Sequence, residues 1–425
     1  MTSDDSQEGD RAILSALPAR THDLARLRLL ADTARPPVVT VIGKYNHGKS
    51  RLLNELIGET AFAVADKRET VALASFTQGG VRWLDAPGLD ADVGTQDDQH
   101  ALRATWLEAD IRLFVHAAKE GELDMAERGL LASLLDDGAR TQRQTLVVLT
   151  QIDQLADEAQ LHQVTSAIAS PLPAGSMFPV SSTRHRSGVD GGKALMLERS
   201  GFPALRLALQ TAVACVPAAR THEAASLFDA MQLEAAQLQA TRLAHAAALR
   251  QLQASQRQRF ETDLLSVLDK VEIDIEVLLD VPGPDHSLTP DSFANHFKIT
   301  PGKLERSRLQ VAYSKACIAI NAILIKHGVS ELPVVQQTAV RSLDNVMVAV
   351  MGVSVKYRKD LKQIFCEPAG RDRLRHEFVR YFELSSDRIA LVADLADAER
   401  AVDVAERALF ALDGVLTLSL AEAIA

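Results

Sequence analysis

The sequence predicts an α/β domain, with a mainly parallel sheet and helices on both faces, followed by an elongated all-α helical bundle or stalk. Two observations carry this. Between residues 38 and 182, short apolar runs alternate with helical patterns, as expected for buried strands joined by crossover helices. Beyond Val216-Pro217 the strand texture stops, and Ala218 to Val281 contains neither Gly nor Pro. That remainder is rich in Ala, Leu and Gln, which favour helix. The 425 residues suffice for two or three domains. We expect an N-terminal tail and helix over 1–35, the α/β domain over 36–215 and the helical domain over 216–425.

Taken in order, residues 1 to about 10 read as disordered, and Ala12 to about Thr33 as one helix that Arg35-Pro36-Pro37 ends. Strands are expected at 38–42, 70–76, 81–86, 111–117, 145–150 and 177–182. Helices are expected at about 49–56, 97–108, 124–135 and 157–169, with a closing helix at about 203–213. The stretch 218–281 as a single helix would run to roughly 90 Å at about 1.5 Å per residue. Phe260, Leu264, Leu268, Val271, Ile275 and Leu278 step by three and four along it, so one face packs. After a loop at 281–290, helices are expected at about 303–328, 333–350, 356–365, 371–382 and from Ser386 to the end.

The composition excludes some classes. A net charge of −10 disfavours a globally basic nucleic-acid-coating surface, so no nucleic-acid partner is expected. Cys215, Cys317 and Cys366 lack metal-ligand spacing and read as reduced thiols. The acidic start is not a secretory signal, and no apolar stretch is read as reaching the roughly 18 residues that span a bilayer. The expected location is therefore cytoplasmic.

The chemistry-bearing motifs begin at Gly43-Lys44-Tyr45-Asn46-His47-Gly48-Lys49-Ser50, placed after a strand and opening a helix that continues with Arg51. Loop and helix-terminus N–H groups there bind phosphate oxygens. Lys49 would reach the outer phosphates and Ser50 would ligate Mg²⁺. Asp85-Ala86-Pro87-Gly88 ends a strand. Asp85 can hold the Mg²⁺ through water, and the Gly88 N–H can meet the γ-phosphate. Thr70, between the two motifs, can close on the metal and the γ-phosphate, a switch that exists only with triphosphate bound. In Thr150-Gln151-Ile152-Asp153, the carboxylate can accept from guanine N1 and N2, which adenine does not offer, so Asp153 selects GTP or GDP. Gln151 stands where a base-stacking Lys is usual, and Ser181-Ser182 would line the base. Lys44 and His47 read as solvated loop residues, or else as contacts to a partner domain facing the nucleotide.

"VIGKYNHGKSRLLNELIG", "WLDAPGLD" and "VLTQID" resemble the P-loop GTPase domains of bacterial dynamin-like proteins and their Era-like relatives. Within that group the chain is most similar to proteins of the labile-enterotoxin-output A type, over about residues 36–215. The resemblance implies a GTPase with a helical stalk, self-association as a homo-oligomer and membrane association. Two departures bear on mechanism. Tyr45 and Asn46 replace the P-loop Gln and Ser that help place the attacking water in eukaryotic dynamins, and Leu89 follows Gly88 where Ras-like GTPases carry a Gln. Asn46 matches the P-loop Asn of cation-dependent GTPases, which ligates K⁺, although it could equally brace the loop. The expected catalytic set is Lys49, Thr70 and Gly88, with slow basal turnover.

Val346 to Val355 followed by Lys356, Arg358, Lys359 and Lys362 has the composition of a peripheral membrane contact over 346–362, or of a buried helix end with a solvated basic flank. Three readings stay open: a dynamin-like GTPase at membranes, a regulatory GTPase whose helical arm binds a protein, and a ribosome- or RNA-associated Era-like GTPase.

Overall fold

A computed structural model describes residues 3–63, 74–85, 102–169, 172, 175–290, 292–331, 344–351 and 355–424. The chain divides into two compact units, one formed by Met1–Ala236 with Arg407–Ala425, the other by Gln237–Glu406.

Among the described residues, the first unit contains a six-stranded sheet. Its strands are β1 (Val38–Ile42), β2 (Ala74–Gln78), β3 (Val81–Asp85), β4 (Ile111–Ala117), β5 (Gln144–Thr150) and β6 (Met177–Pro179). They lie in the order β2-β3-β1-β4-β5-β6. All neighbours are parallel except β2 and β3, which pair antiparallel. Every residue of β1 and β4 is buried, as continuous apolar strands covered on both faces require. The chain passes from β1 to β3 on one side and then to β4 on the other. That reversal opens a crevice at the strands' carboxyl ends, where such sheets bind ligands.

The helices of this unit are α1 (Ser3–Ala16), α2 (Thr21–Ala31), α3 (Lys49–Ile57), α4 (Met125–Thr141), α5 (Glu158–Ala169), α6 (Ser182–Gly191), α7 (Ala194–Glu198) and the first part of α8 (Phe202–Leu279). Arg103–Glu108 forms a π-helical stretch. Several expectations are corrected. Residues 3 to 10 belong to a helix, and the single helix over 12–33 is two, separated at Leu17-Pro18. Ile13, Leu17, Leu24, Leu27 and Leu30 are buried, so the acidic start is carried on an amphipathic helix with its apolar side covered. Strand β6 ends at Pro179, and Ser182 opens α6.

The expected break at Pro217 is absent, since α8 runs through it. Proline removes one backbone donor from a helix. Side chains on the following turns anchor this segment to α2 and to the residues that lead into β1, β4 and β5. Glu223 accepts from Arg26 at 3.0 and 2.8 Å and from Arg143 at 3.1 and 2.5 Å. Arg220 donates to Asp110 at 3.1 and 2.5 Å and to the Arg35 carbonyl at 2.8 Å. The Arg220, Arg26 and Arg35 guanidiniums together outweigh burial and hold the Asp110 carboxyl below its ordinary range.

In the second unit, α8 contributes Phe260, Leu264, Leu268, Val271 and Ile275 to a core shared with α9 (Pro301–Lys326), α10 (Asp344–Met351), α11 (Arg358–Phe365) and α12 (Pro368–Glu383). Phe260 stacks on Phe382 with ring centroids 4.3 Å apart. The last helix, α13 (Ser386–Ile424), packs Ala398 and Val402 near Ala246 and Leu249 of α8. Val346, Met347, Val350, Met351 and Val355 all lie in this core. These five side chains of the apolar run are spent on packing, as the buried-helix-end alternative expects, while residues 352–354 of the run lie outside the described residues.

Among the described residues, two helices, α8 and α9, each hold an 18-residue window of mean hydropathy 1.3, long and apolar enough by length and composition to cross a membrane. This corrects the expectation that no stretch reaches that length. Each also turns an apolar face to a core: Leu205, Leu209, Ala212 and Val216 from α8, and Leu309, Tyr313, Ile320 and Leu324 from α9.

Candidate guanine-nucleotide site

The phosphate loop joins β1 to α3. Gly43 passes so close to β4 that a Cβ there would sit 2.1 Å from the Val115 carbonyl oxygen. Gly48 adopts φ +80° and forms the N-cap of α3. Only glycine meets both demands cheaply, which is the physical reason for the motif's two glycines. The N–H groups of the first turn of α3 then face the crevice with the helix dipole behind them. Lys49 is buried, with its ammonium donating to the carbonyls of Gly43 (3.0 Å) and Lys44 (2.8 Å). This holds the cation across the mouth of the loop.

Ser50 Oγ donates to Asp85 Oδ2 at 2.5 Å, so two residues far apart in sequence meet at the end of β3. Asp85 is 2% exposed, and its Oδ1 has no partner among the described residues. Burial raises its pKa, an effect that Ser50 and Lys49 partly offset. A buried carboxylate oxygen without a donor beside a hydroxyl is a hard-oxygen set that suits Mg²⁺. Asp85→Asn removes a buried charge that Ser50 and Lys49 offset only in part. The expected result is an apo protein at least as stable as wild type by thermal unfolding, with the Mg²⁺ dependence of nucleotide binding lost. Thr70, Gly88 and Leu89 lie outside the described residues.

At the ends of β5 and β6 the structure assembles the predicted base loop. Ser181 Oγ donates to Asp153 Oδ1 at 2.6 Å while accepting from the Arg184 N–H at 3.1 Å as the N-cap of α6. Ser181 thus orients the carboxylate, and the neighbouring Ser182 is already helical. Thr150 Oγ1 donates to the His47 carbonyl at 2.6 Å. Gln151, at φ +59°, donates from Nε2 to the Asn46 carbonyl at 2.9 Å. Its role in the fold is therefore to tie base loop to phosphate loop, a contact between elements far apart in the chain.

Asn46 is exposed at φ +59° and makes that contact through its backbone. Tyr45 is half-buried, with a hydroxyl that has no partner among the described residues. Arg51 is exposed. The expectation that His47 is solvated is corrected, whereas Lys44 stays partly exposed. His47 is 5% exposed and faces Val115, His116 and Glu127, while Lys44 pairs with Asp124. These partners come from β4 and the start of α4. The Asp124–Glu127 capping box was legible as D-x-x-E, but its meeting with the loop was not.

A separate cavity of about 710 Å³ is lined by Arg26, Arg103, Trp106, Arg140, Arg143 and Glu223 among others. It lies toward the amino ends of β4 and β5, opposite the phosphate loop.

Residues 38–151 match the family model described as "50S ribosome-binding GTPase". An uncharacterized protein of Acinetobacter baylyi is 49% identical over 409 residues, covering 96% of this chain and 97% of that protein. The chain belongs to that protein's family. GTPase Era of Nitratidesulfovibrio vulgaris is 27% identical over 36% of this chain, and GTPase Der of Streptococcus mutans 28% identical over 34%. The matches span about half of Era (52%) and a third of Der (33%). A solved structure of Era in complex with MgGDPNP and a segment of 16S ribosomal RNA aligns at 22% identity over 38% of this chain and 55% of that one, with a TM-score of 0.31. The family-model match and the fold together give this chain an N-terminal P-loop GTPase domain, followed by a predominantly helical region.

Proposed function

We propose that the protein binds GTP and GDP with Mg²⁺ and hydrolyses GTP slowly, as a nucleotide-switched protein of the cytoplasm. The observation that carries this reading is the pairing of two preassembled contacts, Ser50 with Asp85 and Asp153 with Ser181. The first is the metal end of a nucleotide site and the second the guanine end. Lys49 and the N–H groups of α3 would neutralise and position the phosphates, with Thr70 and Gly88 completing the γ-phosphate response. Mg²⁺ supplies charge stabilisation at the phosphates when bound. Ser181 and Ser182 would frame the base, and Gln151 holds the two loops in register.

Asn46, at the loop rim, is available to a K⁺ ion that would act on the charge developing in the transition state. The finer reading is that hydrolysis is accelerated by K⁺ and by self-association through the GTPase domain. Steady-state GTP hydrolysis in KCl and NaCl tests it. The expected result is a faster rate in KCl that Asn46→Ala abolishes, whereas equal rates in the two salts would end the K⁺ reading.

A second reading is peripheral contact with a lipid surface, favoured by one observation. Phe293 and Phe297 are each 98% exposed in the loop before α9, beside Lys298 and Ile299. Single exposed apolar residues are ordinary, but two bare Phe rings with an adjacent cation suit an interface. Co-sedimentation with anionic liposomes is expected to fall when both are changed to Ser. Unchanged sedimentation, or none for wild type, would favour the helical arm as a protein-binding element. The ribosome-associated alternative is tested by co-sedimentation with ribosomal subunits.

A further inference from the structure

The side chains of His47, His116 and Glu127 converge behind the phosphate loop, where His47 serves the nucleotide site through its backbone alone. They come from the loop itself, from β4 and from the first turn of α4, and are 5%, 1% and 5% exposed. One donor atom from each lies within 4.8 Å of the others. Glu127 Oε1 is the hub, 2.9 Å from His116 Nδ1 and 3.6 Å from His47 Nδ1. The two imidazoles meet edge to face, with centroids 5.1 Å apart.

The hydrogen-bond chemistry of His116 is informative. Its Nε2 lies 3.0 Å from the Gly121 carbonyl oxygen. A carbonyl only accepts, so Nε2 carries the hydrogen. That leaves Nδ1 against a carboxylate oxygen at 2.9 Å, and a proton or a metal ion must stand between these two acceptors. Metal-bound histidines characteristically donate their other N–H to a backbone carbonyl, which fixes the tautomer. The second Glu127 oxygen is likewise held, accepting from the Asp124 N–H at 3.1 Å. An unprotonated ring nitrogen is the ligating form, and His47 Nδ1 faces Glu127 Oε1 from the phosphate loop. Its 3.3 Å approach to the Val115 carbonyl is long for a hydrogen bond and is the contact a metal would displace. Ligands about 2.0–2.1 Å from a tetrahedral Zn²⁺ stand roughly 3.3 Å apart, and the two separations at the hub bracket that value.

We propose that His47, His116 and Glu127 form a site for a divalent transition metal of the Zn²⁺ class, separate from the Mg²⁺ site at Ser50 and Asp85. Two imidazoles and one carboxylate suit Zn²⁺, Co²⁺ or Ni²⁺ rather than Mg²⁺ or Ca²⁺. The ion would tie the phosphate loop through His47 to β4 and α4. Metal occupancy and nucleotide affinity would then be linked reciprocally.

The test uses the full chain stripped with chelator, without nucleotide, titrated with Zn²⁺ against a chromophoric competitor and with Co²⁺ by visible absorption. The expected result is one tight equivalent, with a Co²⁺ spectrum of a tetrahedral or five-coordinate nitrogen–oxygen site. His116→Asn and Glu127→Gln should each weaken binding by about tenfold or more, with folding confirmed by circular dichroism. Ser50→Ala and a triple Cys→Ser variant at positions 215, 317 and 366 should retain the equivalent, excluding the Mg²⁺ site and the thiols as its source. His47→Asn, a change in the loop rather than in β4 or α4, gives a second variant should the first two fail to fold. The proposal is overturned if wild type takes up no Zn²⁺ at micromolar concentration, which would leave a proton between His116 and Glu127. It is equally overturned if binding survives substitution of the cluster.

Discussion

Glu223→Ala is expected to destabilise the first unit by about 3–5 kcal/mol. Glu223 is 1% exposed and receives two hydrogen bonds from each of Arg26 and Arg143. Its removal leaves both guanidiniums facing one another in a buried place with half their anionic partners gone. Arg26 retains Asp110 at 3.2 Å and the Leu107 carbonyl at 2.9 Å, while Arg143 keeps the Trp106 carbonyl at 2.8 Å and a distant Asp137 at 3.9 Å. Those contacts soften the loss without cancelling it. Urea unfolding, followed by a probe in the sheet domain, measures the effect. Glu223→Gln should fall between wild type and Ala, because the amide can still accept one bond but carries no charge. A loss below about 1 kcal/mol for Ala would mean that water or movement of α8 replaces the network.

Asp153→Asn is expected to lower GTP affinity by about two orders of magnitude while leaving stability nearly unchanged. Two charge-assisted hydrogen bonds to guanine are each worth about 1.5–3 kcal/mol, and the change places an amide donor where guanine also donates. Roughly 3 kcal/mol of lost binding corresponds to about a hundredfold. Ser181 can still donate to the amide oxygen, so the loop keeps its shape. Isothermal titration of the variant with GTP checks the magnitude, and the melting temperature checks that the fold is intact.

Much of this site was legible because its chemistry depends on spacing along short connected elements. The Gly-x4-Gly-Lys-Ser pattern specified strand, loop and helix together, and Asp85 and Asp153 were found at strand ends by position alone. The continuous apolar strands announced a parallel sheet for the same reason. What escaped the sequence depends on side chains brought together from remote elements. Burial of His47 requires Val115 and Glu127, and nothing near His47 in the chain predicts them. Gln151 looked like a weakened base-stacking residue, but its amide reaches across to the Asn46 carbonyl. Pro217 looked like a domain boundary, because a local rule could not register that Arg220 and Glu223 clamp the next turn to α2 and to the residues that lead into the strands. The same limit applied at 346–355, where an apolar run beside cations reads alike whether it meets lipid or a core.

The central claim is that the crevice at the ends of β1, β3 and β5 is a guanine-nucleotide site built on Ser50–Asp85 and Asp153–Ser181. Calorimetric titration of the full chain with GTP and with ATP, each with Mg²⁺, tests it most directly. The account predicts one GTP bound per chain, with ATP binding weaker by about two orders of magnitude, the value of the two guanine hydrogen bonds. Equal affinity for the two nucleotides, or no binding of GTP, would contradict it.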